Sequence, residues 1–407
     1  MMQEITKSRK LDHVAYDVRG PVVDAAAEME AAGEKILKLN IGNPAPFGFR
    51  APEQVVAAME EKLRASQGYS DSRGVEAARA AIAAYHRGKG LSGVTEKDVY
   101  TGNGVSELIS LCMQALLDAG DEILIPSPDY PLWTATATLA GGTVVHYHCD
   151  ERSDWMPDLA DIRSKVTPRT RAIVIINPNN PTGALYSREL LEDIAQIARE
   201  HGLILFSDEI YDRLVMDGHE HVSIASLCPD VFCVTFNGLS KSHLIAGYRA
   251  GWMVLSGDKA RAKSYIEGLN MLSNMRLCAN VPAQYAIPAA LECLDEVKPL
   301  LLPGGRIYEQ RRAICEALEQ IPGMRVVWPK AAFYCFPGID VKRFGITDDE
   351  QFALDFLRAE KVLLVPGRGF HWPEPDHFRI VYLPEVSVLT ESARKLENFL
   401  SHYRQNP

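Results

Sequence analysis

Between residues 98 and 256 short apolar runs alternate with longer amphipathic stretches, and this rhythm predicts strands and helices taken in turn. The expected strands are Asp98–Thr101, Glu122–Pro126, Gly142–His148, Arg171–Ile176, Leu203–Asp208, Val231–Thr235 and Ala250–Leu255. Helical stretches such as Val105–Leu117 and Ser187–His201 lie between them; Ser187 stands as an N-cap and Gly202 just past the end of the second. The pattern is that of an α/β fold, a mostly parallel seven-stranded sheet covered by helices on both faces. Beyond about residue 295 the rhythm changes. A charged helix, Arg306–Gln320, precedes strand candidates at Met324–Trp328, Ala332–Phe336, Val362–Val365 and Phe378–Tyr382, and a helix at Thr390–Tyr403 closes the chain. A large domain over 61–295 is therefore expected, with 296–407 forming a smaller α+β domain joined by residues 1–60, too few to fold alone.

Composition narrows the class. Hydrophobic residues make up 47% and charged residues 24% of the 407, ordinary values for a globular protein. The longest apolar runs, such as Ala172–Ile176 and Leu203–Phe206, fall far short of the roughly 20 residues of a spanning helix. Residues 1–20 lack the apolar stretch of a secretory peptide. Lys plus Arg number 43 against 53 acids, a formal net charge of -10, which argues against general nucleic-acid or anionic-membrane binding. A local basic pocket for a small anion remains open. The eight cysteines are scattered, several inside apolar runs, as expected of buried free thiols in a reducing cytoplasm.

Ligands of open α/β sheets sit outside the carboxyl ends of the strands, and four segments with chemistry follow such ends. Thr101-Gly102-Asn103-Gly104-Val105-Ser106-Glu107 begins like a dinucleotide fingerprint, but Glu107 stands at the third glycine position, so the nicotinamide reading fails. What survives is a helix N-terminus after a glycine turn, able to offer N–H groups and a positive dipole end to a phosphate. Asn177-Pro178-Asn179-Asn180-Pro181-Thr182-Gly183 is a rigid turn, either an ordinary loop or a mount for the Asn180 amide. Asp208 ends a buried strand, where a carboxylate needs a cation, water or a capping role. Lys241, in Phe236-Asn237-Gly238-Leu239-Ser240-Lys241, is flanked by Gly, Ser and His, with Arg249 close by. A lysine so placed can act as an amine nucleophile, although lone lysines are mostly solvated surface groups.

Taken in order, GNGVSE, Pro128-Asp129-Tyr130, NPTG, D-x-x-Y, S-K and G-x-R-x-G resemble fold-type I pyridoxal-phosphate (PLP) dependent aminotransferases of class I/II, from about Gly42 to Arg379. The stretches YDVRGP, LNIGNPAPFGF, PDYPLW and FNGLSK look closest to bacterial glutamate–pyruvate (alanine) aminotransferases of amino-acid biosynthesis. The resemblance implies that Lys241 holds PLP as a Schiff base and, once displaced, moves the proton between Cα and the cofactor. Asp208 would keep the pyridine nitrogen protonated, Asn180 and Tyr211 would bond the ring 3′ oxygen, and Tyr130 would stack on the ring. Gly104, Val105, Ser106, Ser240 and Arg249 would hold the phosphate. Arg379 would fork onto the substrate α-carboxylate, and Gly42 would let the N-terminal strand approach closely. Tyr69 would reach the phosphate of a neighbouring subunit, which implies a homodimer with shared sites.

One departure stands out: many relatives have serine where this chain has Gly238, so a phosphate hydroxyl is missing, and water, Ser240 or Asn280 is expected to substitute. Tyr16 and Arg19 are read as a mobile N-terminal lid over the substrate, with Arg276 as the runner-up for a distal carboxylate. Other specificities (aspartate, aromatic or broader) and a PLP β-lyase use the same anchors. A PLP-containing transcription regulator is rejected, because only some 35 residues precede LNIGNP. No metal is expected: His146 and His148 share a strand face, and His219-Glu220-His221 lies in a loop, but no second cluster completes ligand spacing.

Overall fold

A computed structural model describes residues 5–14 and 20–405. All seven expected strands form, as β1 (Val99–Asn103), β2 (Glu122–Ser127), β3 (Thr143–Asp150), β5 (Thr170–Ile176), β6 (Ile204–Asp208), β7 (Cys233–Gly238) and β8 (Ala250–Ser256). An eighth, β4 (Met156–Pro157), pairs antiparallel with the end of β3, so the sheet has eight strands where seven were expected. Two residues carry no periodicity that a sequence reading could detect.

The sheet order is β1-β8-β7-β6-β5-β2-β3-β4. Strands β3, β2, β5, β6 and β7 are mutually parallel, while β8 runs antiparallel between β7 and β1. In β5 every residue but Arg171 is buried. Alternation sends Ala172, Val174 and Ile176 into one apolar layer with Trp133, Phe206 and Phe236, and Ile173 and Ile175 into the other with Leu191 and Ile194. The strand reads as continuously apolar because both faces are covered. Helix α1 (Val105–Leu116) packs on the first layer, as does α2 (Leu132–Ala140). Helix α3 (Arg188–His201) covers the second; Ser187 Oγ accepts from the Leu190 N–H and Gly202 closes the helix at φ +65°.

A third apolar core gathers Ile314 and Leu318 of α5 (Arg306–Glu319), Leu396 of α6 (Val386–His402) and the short strands β9 (Tyr334–Cys335) and β11 (Phe378–Val381), while Val365 of β10 (Val365–Pro366) joins the layer of Ile173 and Ile175. Strand β11 lies between β9 and β10, antiparallel to both. Leu37–Lys38 pair with Val362–Leu363, which ties the early chain to this core. These strands are shorter than the sequence led us to expect, and α6 starts at Val386 where Thr390 was the expected start. The Thr390 hydroxyl bonds back to the Val386 carbonyl inside the helix and does not cap it. All eight cysteines are free and only Cys278 is not fully buried. Among the described residues no helix is long and apolar enough to cross a membrane.

Candidate active site

The carboxyl ends of β1, β2, β5, β6 and β7 open on one edge of the sheet. Because β8 is antiparallel, its amino end reaches the same edge, with Ala250 beside Asn103 and Gly251 beside Gly238. Arg249 therefore joins residues that follow parallel strands. A cavity of about 680 Å³ lies there, walled on its far side by Gly42, Tyr334 and Arg379.

Asp208 ends β6 at the floor of this cavity and is only 3% exposed. Its carboxylate accepts from the Trp133 indole at 3.2 Å and from the Ile210 N–H at 3.3 Å. Among the described residues it has no cationic partner, and burial pushes it up to about 6. A buried carboxylate in that condition suits a ligand that brings a positive charge, such as a protonated ring nitrogen.

Lys241 sits on the short helix α4 (Leu239–Ser242), and its Nζ donates to the Gly42 carbonyl at 2.6 Å. A Cβ on Gly42 would fall 2.2 Å from the Tyr334 hydroxyl, so only glycine allows this approach. The Tyr334 and Tyr211 hydroxyls are 2.8 Å apart. Burial raises both phenols, but the charges of Lys241 and Arg379 outweigh it at Tyr334, which is held below the usual tyrosine range, while Tyr211 stays well above it.

Arg379, on β11, is 3% exposed, donates to Asn180 Oδ1 at 2.9 Å and also bonds the Asn40 carbonyl. Its guanidinium lies 4.4 Å from the Tyr334 ring centre and 4.6 Å from that of Phe370. A rigid planar cation thus faces the cavity, fitted to a carboxylate. Asn180 is held by its loop: the Asn179 side chain accepts from the N–H and hydroxyl of Thr182, and the Asn177 N–H donates to the Asp208 carbonyl.

At the other end Gly104 (φ +81°) opens α1, and Val105, Ser106, Ser240 and Arg249 line the cavity together. Arg249 Nη2 donates to the Asn103 carbonyl at 3.2 Å. A helix start, a hydroxyl and a guanidinium make this corner suited to a phosphate. Tyr130 lines the cavity between the two ends. Gly238 needs a revised reading: a Cβ there would fall 2.7 Å from the Ala250 carbonyl, so the close β7–β8 approach leaves no room for a serine without a backbone shift. Asn280 does not compensate; it is exposed, and its backbone N–H bonds the Asn103 side chain. Ser240 is the hydroxyl that lines the corner.

Two expected residues fall elsewhere. Arg276 pairs with Glu107 at 2.7 Å and donates to the Thr101 and Ser72 carbonyls, away from the cavity, so its reading as a distal-carboxylate ligand gives way to a structural ion pair. Tyr69 is 83% exposed and does not line the cavity. Tyr16 and Arg19 lie outside the described residues. Sequence reasoning missed Tyr334 and Trp133, since each sits in an apolar run that reads as core.

The family model for aminotransferase class I and II matches residues 34–395. The chain is 58% identical over 404 residues to the glutamate–pyruvate aminotransferase AlaA of Escherichia coli K12, covering 99% of this chain and 100% of the relative. It is 54% identical over 400 residues to an alanine aminotransferase of Mycobacterium tuberculosis, covering 98% and 93%. An aminotransferase crystal structure from Escherichia coli superimposes with a TM-score of 0.98 at 57% identity, covering 99% of this chain and all of the other.

Proposed function

The chain belongs to the class I and II aminotransferases, and on that footing we propose that it exchanges an amino group between L-alanine and 2-oxoglutarate, with PLP carried on Lys241. One observation carries the cofactor reading: a buried Asp208, without a cation among the described residues, shares a cavity with a lysine amine. The names of the relatives, glutamate–pyruvate and alanine aminotransferase, support the substrate pair.

When bound, PLP supplies an electron sink that acidifies the substrate Cα–H. The chain's own residues do the rest. Asp208 would provide the counter-charge at the ring nitrogen, and Asn180 and Tyr211 would offer donors to the ring oxygen. Gly104, Val105, Ser106, Ser240 and Arg249 would hold the phosphate, and Tyr130 would cover the ring. Arg379 grips the α-carboxylate, with Gly42 giving the substrate close backbone approach. With the substrate so gripped, Lys241 Nζ would be the base that takes up the Cα proton. Positioning of this kind contributes on the order of 7–11 kcal/mol. The donor leaves as a 2-oxo acid before the acceptor enters, a ping-pong order.

We read the active form as a cytoplasmic homodimer in which Tyr69 reaches the partner's phosphate corner. The exposed Met271 and Met275 support this, because their helix is tied to the Tyr69 segment through Ser72 and Asn274. We propose the division into 61–295 and 1–60 with 296–407, except that Val55, within 1–60, packs with the sheet-side core and so goes with the large domain. Tyr16 and Arg19 are assigned to a lid; Arg19→Ala is expected to raise the KM for glutamate several-fold, and unchanged kinetics removes that role.

The direct test is spectral. Purified protein should be yellow, L-alanine or L-glutamate should bleach it, and pyruvate or 2-oxoglutarate should restore it. A colourless protein unable to take up PLP overturns the cofactor; bleaching only by other amino acids overturns the substrates.

A further inference from the structure

Outside the cavity two clusters of potential metal-binding side chains occur among the described residues. In one, Glu209 and Asp212 already hold the ammonium of Lys89, at 2.7 and 2.6 Å. The other consists of Asp129, His146 and His371, whose donor atoms lie within 4.8 Å of one another. It draws on the loop after β2, on β3 and on the turn before β11, so no sequence spacing reveals it.

Asp129 is fully buried, and its two oxygens face different histidines: Oδ1 is 2.7 Å from His371 Nδ1 and Oδ2 is 3.7 Å from His146 Nε2. The imidazoles stack at 4.9 Å with an interplanar angle of 22°. Both are partly open to solvent, at 28% and 17% of the side chain for His146 and His371. We propose that Asp129, His146 and His371 form a binding site for one divalent transition-metal ion of the zinc type. Around tetrahedral zinc, bond lengths near 2.0–2.1 Å put ligand atoms about 3.3 Å apart, and one donor atom from each of the three residues already lies within 4.8 Å of the others. Two imidazoles and one carboxylate suit zinc and its neighbours, whereas magnesium and calcium ask for oxygen sets. The Thr134 hydroxyl donates to Asp129 Oδ2 at 2.5 Å and lies 3.0 Å from His146 Nε2, so it orients the carboxylate and leaves a fourth position for water.

The ion would act beside the cofactor. Ser127 Oγ donates to the His371 carbonyl at 2.7 Å and the Asp129 N–H to the Phe370 carbonyl at 2.9 Å. The Asp129–His371 contact is already a third link between the loop bearing Tyr130 and the turn that leads to Arg379, and a metal would take its place.

Tag-free holoenzyme, stripped with EDTA, tests this by zinc titration against a chromogenic chelator. One zinc per chain is expected, with Mg²⁺ unable to compete. His146→Asn and His371→Asn should each weaken zinc by about tenfold or more, whereas His148→Asn, altering a ring stacked instead on Trp372, should not. No uptake at millimolar zinc, uptake indifferent to both substitutions, or equal sensitivity to His148→Asn overturns the site. X-ray absorption on zinc-loaded wild type is independent of whether the variants fold: nitrogen and oxygen ligands with imidazole scattering support the site, and sulfur ligation overturns it.

Discussion

Asp208 and Asp212 stand on the same turn, four residues apart, and both are buried, yet their surroundings are opposite. Asp212 and Glu209 point away from the cavity to Lys89, with further bonds to Asp212 from Tyr85 at 2.5 Å and to Glu209 from Ser223 at 2.6 Å. Burial raises both acids, but the ammonium more than offsets it, and both lie below the usual carboxylate range. Among the described residues Asp208 meets only neutral donors, and burial prevails. One carboxylate set is neutralised within the chain and serves the fold; the other awaits a charge from outside and serves a ligand. The lesson is that an acid's charge balance, more than its burial, separates structure from site.

Breaking the structural half should have the largest effect. Lys89→Met leaves two buried carboxylates without a cation and should cost about 3–5 kcal/mol in urea unfolding of the holoenzyme; a loss below 1 kcal/mol, judged against the ~1 kcal/mol of an average substitution, would remove the distinction. On the site side, Asp208→Asn should lower kcat/KM on the order of 10³-fold, about 4 kcal/mol, with unfolding of the holoenzyme changed far less. Arg379→Lys exchanges a fork for a point charge and should lower kcat/KM for alanine on the order of 10²-fold, leaving the cofactor absorbance in place.

Acidity sharpens the contrast. In cofactor-free protein the folded Asp208 keeps its proton up to about pH 6, while the unfolded chain releases it near 4. Its contribution to stability is present below that window and is lost as pH rises through it. Relative to Asp208→Asn, cofactor-free wild type should therefore lose about 2–3 kcal/mol between pH 4 and pH 7. Bound PLP should abolish that difference; a flat comparison without cofactor would show that Asp208 is already charge-balanced.

Much of this was open to reading along the chain. The sheet strands announced themselves by their apolar runs, clearest in β5, which is covered on both faces, and Lys241, Asp208 and Asn180 were found because each stands at or just past a strand's carboxyl end. Arg379 and the phosphate corner were legible through ordered motifs. Tyr334 and Trp133 were not, since an aromatic ring aimed at a ligand and one aimed at the core look alike in sequence. Arg276 was misplaced for the complementary reason: a charge has no visible partner until Glu107 is brought beside it.

The sequence by itself determined the elements, their order and the residue types available at each strand end, because periodicity and turn chemistry are local. Only the tertiary structure decided which charges cancel. Lys89 reaches Glu209 and Asp212 across more than a hundred residues, Asp208 is left without such a partner, and His371 comes to Asp129 and His146 from the far end of the chain. Electrostatic balance is set by distance in space, and the sheet edge is where those distances are fixed.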